Sequence, residues 1–542
     1  KGDAFYNFGL PFQEGKGKVY SFGGFTYRTG TSYALYRTPY WIPDPHFLLH
    51  EEGTEYQGFQ PTFETKVRDN YNTLGVDWDL LGFNVDLSGT YGRNAVDYEV
   101  GNSLNPALGA DSPTTFDTGA YSFSTLLANL DIRRSFGAVS IGFGSEVRGE
   151  EFVAHAGEPA SYVGGGVQSF PGLQPTNALR EDRSSIGVYG DLEWDATEKL
   201  LFGGAVRYED FSDFGDNTSW KLSGRYILGD NRGAIRASYG TGFRAPSLHQ
   251  IYLSNIQTLV SGGTISNQGT FNNVDPIIRV GLGVPQLTAE TSKSISAGMT
   301  YKVTPKISVT ADFYQVEVDD RVLFSGEIGY KDGEPGNPTN PVEEILNDNS
   351  ITSLKFFINA VDTKTTGIDI VAILNKIDLG NGRFGASLAA NYNETTIEGE
   401  IATPQILAEN DYDIFNRKEQ ARITSSRPQT KVILGMDYSI KKWDFVFNNT
   451  YFGEVTWQHA VDANNDQTFS GKIITDLIIN FNISKSVSIF TSVNNLFNVY
   501  PDTIDTNGDV VTDLGGRFKY PWEVNQFGFK GTIINWGLSF SF

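Results

Sequence analysis

The 542-residue chain contains no cysteine and only two methionines. Disulfides and thiolate metal sites are therefore excluded. It has no run of 18 apolar residues and so offers no helix able to cross a bilayer. That absence does not exclude a membrane. Strands of a barrel need only about 10 residues of alternating polarity, and such strands average out as hydrophilic, which suits the mean hydropathy of −0.27. Cations are scarce: 42 Lys and Arg stand against 64 Asp and Glu, a formal charge of −22. This argues against nucleic acid as a partner, because phosphate binding needs clustered Lys and Arg. No helical period of 3.6 is sustained anywhere. No apolar segment follows Lys1-Gly2-Asp3, so an exported precursor would have lost its leader.

Aromatics and glycine are plentiful, with 26 Tyr, 38 Phe and 59 Gly. The clearest pattern is the last stretch. Ile534, Trp536, Leu538, Phe540 and Phe542 alternate with Asn535, Gly537, Ser539 and Ser541. Successive side chains on a strand point to opposite faces, so this segment has one greasy face and one wet face. A single such stretch also fits a half-buried strand of a soluble protein. Its recurrence decides between them. Leu74, Val76, Trp78 and Leu80 oppose Gly75, Asp77 and Asp79; Phe83, Val85 and Leu87 oppose Asn84, Asp86 and Ser88. Ala128, Leu130 and Ile132 oppose Asn129, Asp131 and Arg133, and Val139, Ile141, Phe143 and Val147 oppose Ser140, Gly142, Glu146 and Arg148.

Short and long connections alternate strictly. Tight turns fall near Glu14-Gly15, Leu81-Gly82 and Phe136-Gly137, then near residues 196–198, 229–233, 304–306, 378–382, 441–442 and 484–486. Long polar segments separate most of the hairpins: 29–70, 101–121, 150–183, 242–287, 324–362, 396–427, 453–471 and 500–525. Nine turns give eighteen strands, and the final stretch makes a nineteenth. A meander with tight turns at one end and long loops at the other is what a transmembrane β-barrel requires. The wet face carries Asp77, Asp86, Asp131, Arg133, Glu146, Arg148 and Arg236. Those charges suit a lumen filled by water or a polar plug and would be costly in a dry core. The fold class expected is all-β, a transmembrane antiparallel barrel occupying residues 1–542.

Several motifs carry a resemblance. Ala234-Ile235-Arg236-Ala237-Ser238-Tyr239-Gly240-Thr241-Gly242-Phe243-Arg244-Ala245-Pro246-Ser247 is similar to a signature in the barrels of TonB-dependent outer-membrane receptors. Leu287-Thr288-Ala289-Glu290-Thr291 and Asp312-Phe313-Tyr314-Gln315-Val316 resemble the strands that follow it in that family. Val493-Asn494-Asn495-Leu496-Phe497-Asn498 resembles a near-terminal motif, and Gly157-Glu158-Pro159-Ala160-Ser161-Tyr162 a loop of some members. Trp536, Phe540 and the terminal Phe542 resemble the signal read by the barrel-assembly machinery. The resemblance implies a 22-stranded barrel, an N-terminal plug domain in its lumen, and residence in the outer membrane of a Gram-negative cell. It implies a non-enzymatic receptor that takes up a scarce solute (siderophore, cobalamin, saccharide or similar). The TonB–ExbB–ExbD complex would energise uptake through a TonB-box. With nineteen strands counted back from the last, the plug, the TonB-box and the first three strands are expected to lie outside this chain. A structural or secretion-linked barrel with a partner protein in its lumen is the alternative reading. A soluble carbohydrate-binding β protein is a third.

No nucleophile and base are paired locally, so no catalytic residue is assigned. The loop aromatics Tyr36, Tyr40, Trp41 and Phe47 could stack on a sugar or siderophore, or close a packed loop. Arg244 joins them as a ligand candidate, although its place in the motif suits a structural role. Asp505, Asn507, Asp509 and Asp513 present oxygens at the spacing of a calcium loop, and Asp462, Asn464 and Asp466 repeat it more weakly. Asx-rich turns have the same composition without metal. The five histidines, His46, His50, His155, His249 and His459, are all expected in loops, as a metal-capturing surface or as scattered polar residues. No cofactor is required, and structural Ca²⁺ in the loops is the one ion suggested.

Overall fold

In the computed structural model nineteen strands form one antiparallel sheet, each bonded to its neighbour in sequence. They are β1 (Gly2–Phe12), β2 (Gly17–Tyr33), β3 (Thr62–Leu80), β4 (Phe83–Gly101), β5 (Thr115–Phe136), β6 (Val139–His155), β7 (Leu179–Thr197), β8 (Leu200–Phe211), β9 (Gly215–Ile227) and β10 (Gly233–Arg244). After the first very long loop come β11 (Glu290–Thr304), β12 (Ile307–Phe324), β13 (Phe357–Leu379), β14 (Gly382–Glu398), β15 (Thr430–Ile440), β16 (Trp443–Phe452), β17 (Lys472–Asn482), β18 (Val487–Asn494) and β19 (Ile533–Phe540). The structure describes residues 1–542 apart from positions 41, 45, 230, 262–263, 506–518, 522, 525 and 542. All nine tight turns are found where the sequence places them. Eight of the nine connections at the other end are long; the β8–β9 turn is the exception.

The strands run further than the alternation of polarity does. β3, β5 and β13 have 19, 22 and 23 residues, whereas about 10 span the hydrocarbon. The loops read as beginning at residues 29, 101 and 150 therefore begin later, and His155 is the last residue of β6 rather than a loop residue. Lipid on one side and a wet lumen on the other impose alternation only within the membrane. Above it backbone pairing continues without that constraint.

The two faces separate as expected. Leu74, Leu87, Leu126 and Val147 are exposed on the outer face, as are Ile534, Trp536, Leu538 and Phe540 of β19. The lumen face is a hydrogen-bonded web. Arg236 grips Asp312, and Arg207 bridges Glu209 and Glu146. Three tyrosines cross a whole strand. Tyr20 of β2 lies over Gly75 of β3 and donates to Asp86 of β4 at 2.9 Å. Tyr189 of β7 lies over Gly144 of β6 and donates to Asp131 of β5. Tyr314 of β12 lies over Gly367 of β13 and accepts from Asn391 of β14 at 3.2 Å. A Cβ on Gly75 would sit 2.2 Å from the Tyr20 ring. Gly75→Ala is expected to cost about 1–3 kcal/mol by overpacking. The check is the temperature at which the folded barrel loses its fast-running form on a gel. Gly92→Ala, whose Cβ would meet nothing within 4 Å, should leave that temperature unchanged.

Among the described residues no ladder joins β1 to β19. Each is bonded on one side only, β1 to β2 and β19 to β18.

Candidate functional site at the outer rim

The long loops are not the irregular polar segments their composition suggests. The loops after β10, β12 and β14 share one hydrophobic core, including Phe271, Ile278, Val342, Leu346, Leu407 and Ile414. Strand Thr264–Thr270 of the first loop pairs in parallel with Ile351–Lys355 of the second. The second loop is held by Glu343, which is fully buried. Its Oε1 accepts from the backbone N–H of Lys331, Asp332 and Gly333 at 2.9–3.1 Å, and its Oε2 from Thr339 N and Oγ1 at 2.7 and 2.8 Å. Burial alone would raise this carboxyl, but the converging donors outweigh it and hold it well below the usual carboxylate range.

A second assembly joins the loops after β2, β4 and β6. Arg37 donates to the Gln168 side chain at 3.1 Å, and Ser103 to the Gln168 carbonyl at 2.7 Å. The buried Asn105 donates to the carbonyls of Ala160 and Val163, both at 2.8 Å. The Gly157–Tyr162 motif here forms a single helical turn, Pro159–Tyr162, on which Ser161 is fully buried.

A third assembly joins the loops after β16 and β18, around Val455, Phe469 and Val524. The helix Arg417–Thr424 ties it to the first one. Arg417 makes a two-pronged pair with Asp466, and Lys418 and Arg422 reach Glu523 at 3.0 and 2.9 Å.

Two charge clusters fix the segment after β10. Arg244 makes a two-pronged pair with Glu290 (2.8 and 2.7 Å), which also accepts from Val322 N. The two signature motifs thus meet through their charged residues. Behind them Arg183 is buried, bonded to Glu150 and donating to the Pro246 carbonyl at 2.7 Å. Its Nη1 lies 3.6 Å from Asp213, in the short β8–β9 turn. Burial pushes the Asp213 carboxyl up, and the Arg183 charge only partly opposes this. A raised carboxyl favours the folded state most below its ordinary 3.8, and that support is lost as pH rises through the folded value. Asp213→Asn should therefore stabilise the rim at neutral pH and flatten this part of the pH–stability profile, read by thermal unfolding between pH 4 and pH 8.

The residues singled out from sequence do not converge. Tyr36 donates to the Gln57 carbonyl at 2.7 Å, Tyr40 is 87% exposed, and Trp41 lies outside the described residues. Arg244 is the last residue of β10, paired with Glu290. Of the first calcium set only Asp505 is described; its backbone exchanges bonds with the Gln467 side chain. Asn507, Asp509 and Asp513 lie outside the described residues. In the weaker set Asp466 serves Arg417, and Asp462 caps a turn at Asn464 N. Among the described residues no three His, Asp or Glu side chains are placed to hold a metal. Three of the histidines serve the loops. His50 meets Asp44 at 3.2 Å, His459 Nδ1 accepts from Val461 N and Asp462 N, and His249 packs 4.2 Å from the Phe152 ring. Burial pushes the His249 pKa down, keeping the ring neutral.

The model of the family described as "TonB dependent receptor-like, beta-barrel" matches residues 5–496. The chain belongs to that family. As a TonB-dependent receptor barrel it is an outer-membrane protein of a transporter and receptor class, not an enzyme. Solved structures share the fold at low identity. The FrpB iron transporter from Neisseria meningitidis is 12% identical, with a TM-score of 0.60 over 99% of this chain and 72% of its own. The siderophore receptor PirA from Acinetobacter baumannii is 12% identical, with 0.58 over 100% and 77%. A ferric enterobactin receptor (PfeA) mutant from Pseudomonas aeruginosa, in complex with enterobactin, is 12% identical, with 0.61 over 100% and 78%.

Proposed function

We propose that this receptor barrel is the wall and outer rim of an importer for a scarce solute of the iron-chelate kind, driven through TonB. The observation that carries the reading is the folded rim. Three sets of loops build cores of their own, the second around Val100, Phe116 and Val167, and lock to one another through Arg417–Asp466 and through Asn177–Ser254 at 3.1 Å, which a solute-capturing receptor needs and an open pore does not. The names of the iron and siderophore proteins with the same fold support the solute class. In this reading a plug domain and further strands complete the lumen and wall, and the plug meets TonB. The unpaired edges of β1 and β19 support it, since an unsatisfied backbone group in hydrocarbon costs several kcal/mol. Trp536, Phe540 and Phe542 would serve the assembly machinery.

The test uses the full-length gene in paired strains with and without TonB. Accumulation of ⁵⁵Fe from a panel of ferric chelates should rise with expression only where TonB is intact. Equal accumulation in both strains, or none with any chelate, would overturn the reading.

A further inference from the structure

At the outer end of the lumen wall, between β16 and β19, Phe452, Ile474 and Ile533 all point inward from three strands. Phe527 and Phe529, from the loop after β18, stand opposite, and the two sides enclose a cleft of about 380 Å³. That volume falls within the range of small-molecule sites.

The frame of the cleft is preformed. Gln526 is buried and donates to the carbonyls of Gly453 and Ser470, anchoring the segment that carries both phenylalanines. The Thr532 hydroxyl donates to the Asn495 carbonyl at 2.7 Å and its backbone N–H donates to Asn498 Oδ1 at 3.1 Å, so the loop is pinned at its far end as well. Phe452 and Phe527 stand 5.8 Å apart. Phe529 continues outward into a stack with Tyr520 and Tyr500, at 5.9 and 5.6 Å, yet Phe529 itself stays 46% exposed. One carboxylate lines this apolar space. Asp476 accepts from Asn495 N through Oδ1 at 2.8 Å, and among the described residues no donor bonds its Oδ2. A carboxylate oxygen beside apolar walls favours a ligand that brings a donor.

We infer that this cleft is a binding site for an aromatic ring carrying a hydroxyl donor. The ring packs between Phe452–Phe527 and Phe529, and the hydroxyl donates to Asp476. The inference deepens the importer reading by assigning one chemical group of the solute to one wall of the rim.

The experiment uses 4-fluorophenol and ¹⁹F line broadening, on full-length protein in nanodiscs with no TonB present. Wild type should broaden the signal in a saturable way, with fluorobenzene bound about five-fold more weakly for want of the donor. Phe529→Leu, which keeps an apolar and half-exposed side chain, should weaken 4-fluorophenol about five-fold by removing one ring pair. Asp476→Asn, which keeps the acceptor for Asn495 N, should erase the preference over fluorobenzene. Equal broadening by wild type and Phe529→Leu would overturn the site, as would competition by methyl β-glucoside at equal concentration. Because binding is read without energy coupling, its failure leaves TonB-dependent uptake standing, and failed uptake leaves a positive binding result standing.

Discussion

Glu343→Ala will loosen the loop after β12 while leaving the barrel intact. The substitution strips an acceptor from five donors that converge inside the loop. These donors are only partly buried and water can replace the carboxylate at some of them, so the expected local loss is about 1–3 kcal/mol. Hydrogen exchange should show it directly. The amides of residues 331–333 and 339 should exchange far faster, and those of β12 and β13 should keep their rates. The pH dependence follows from the same geometry. A carboxyl held below its ordinary 4.5 contributes fully above that value, and the contribution is lost as pH falls through the folded pKa. With the folded value held so low, the loop should survive mild acid in the wild type. Unchanged exchange in the variant would show that the hydrophobic core alone holds this loop.

The second large effect is expected at Arg183. Arg183→Met preserves the apolar stem but leaves Glu150 and Asp213 facing each other without a cation, and the Pro246 carbonyl without its donor. Removing one partner of a buried ionic group costs about 3–5 kcal/mol. The thermal midpoint of the detergent-solubilised protein should fall accordingly. The cause is identified by adding Glu150→Gln and Asp213→Asn, which should restore most of the loss if stranded charge is responsible. If the triple variant is as unstable as the single one, lost packing over Phe211 and Phe214 is the cause instead.

The barrel was legible in the sequence because lipid imposes a rule on every second residue. Leu74 to Leu80 and Ile534 to Phe540 obey that rule, and the nine tight turns fall where it breaks. The rim was not legible because no periodic rule operates above the membrane. Leu407 and Ile414 are buried by a core most of whose members, from Phe271 to Val361, lie more than 40 residues away. Asn105 and Glu343 look like ordinary loop polar residues until backbone groups from elsewhere converge on them. The motifs around Arg244 and Glu290 were each readable, but their pairing was not, because sequence separation says nothing of it. Tyr36 and Tyr40 are conspicuous in sequence, whereas the inward-facing Phe452 and the distant Phe527 meet only through the return of the last loop.

The interlocked rim also sets what the cell surface presents to an observer outside. Each outward patch is assembled from loops far apart in the chain, held by bonds such as Arg417 to Asp466 and Asn105 to Val163. An antibody or phage that recognises the intact cell will therefore read a discontinuous epitope. A synthetic peptide copying one loop will neither compete for it nor, used as an immunogen, elicit its match.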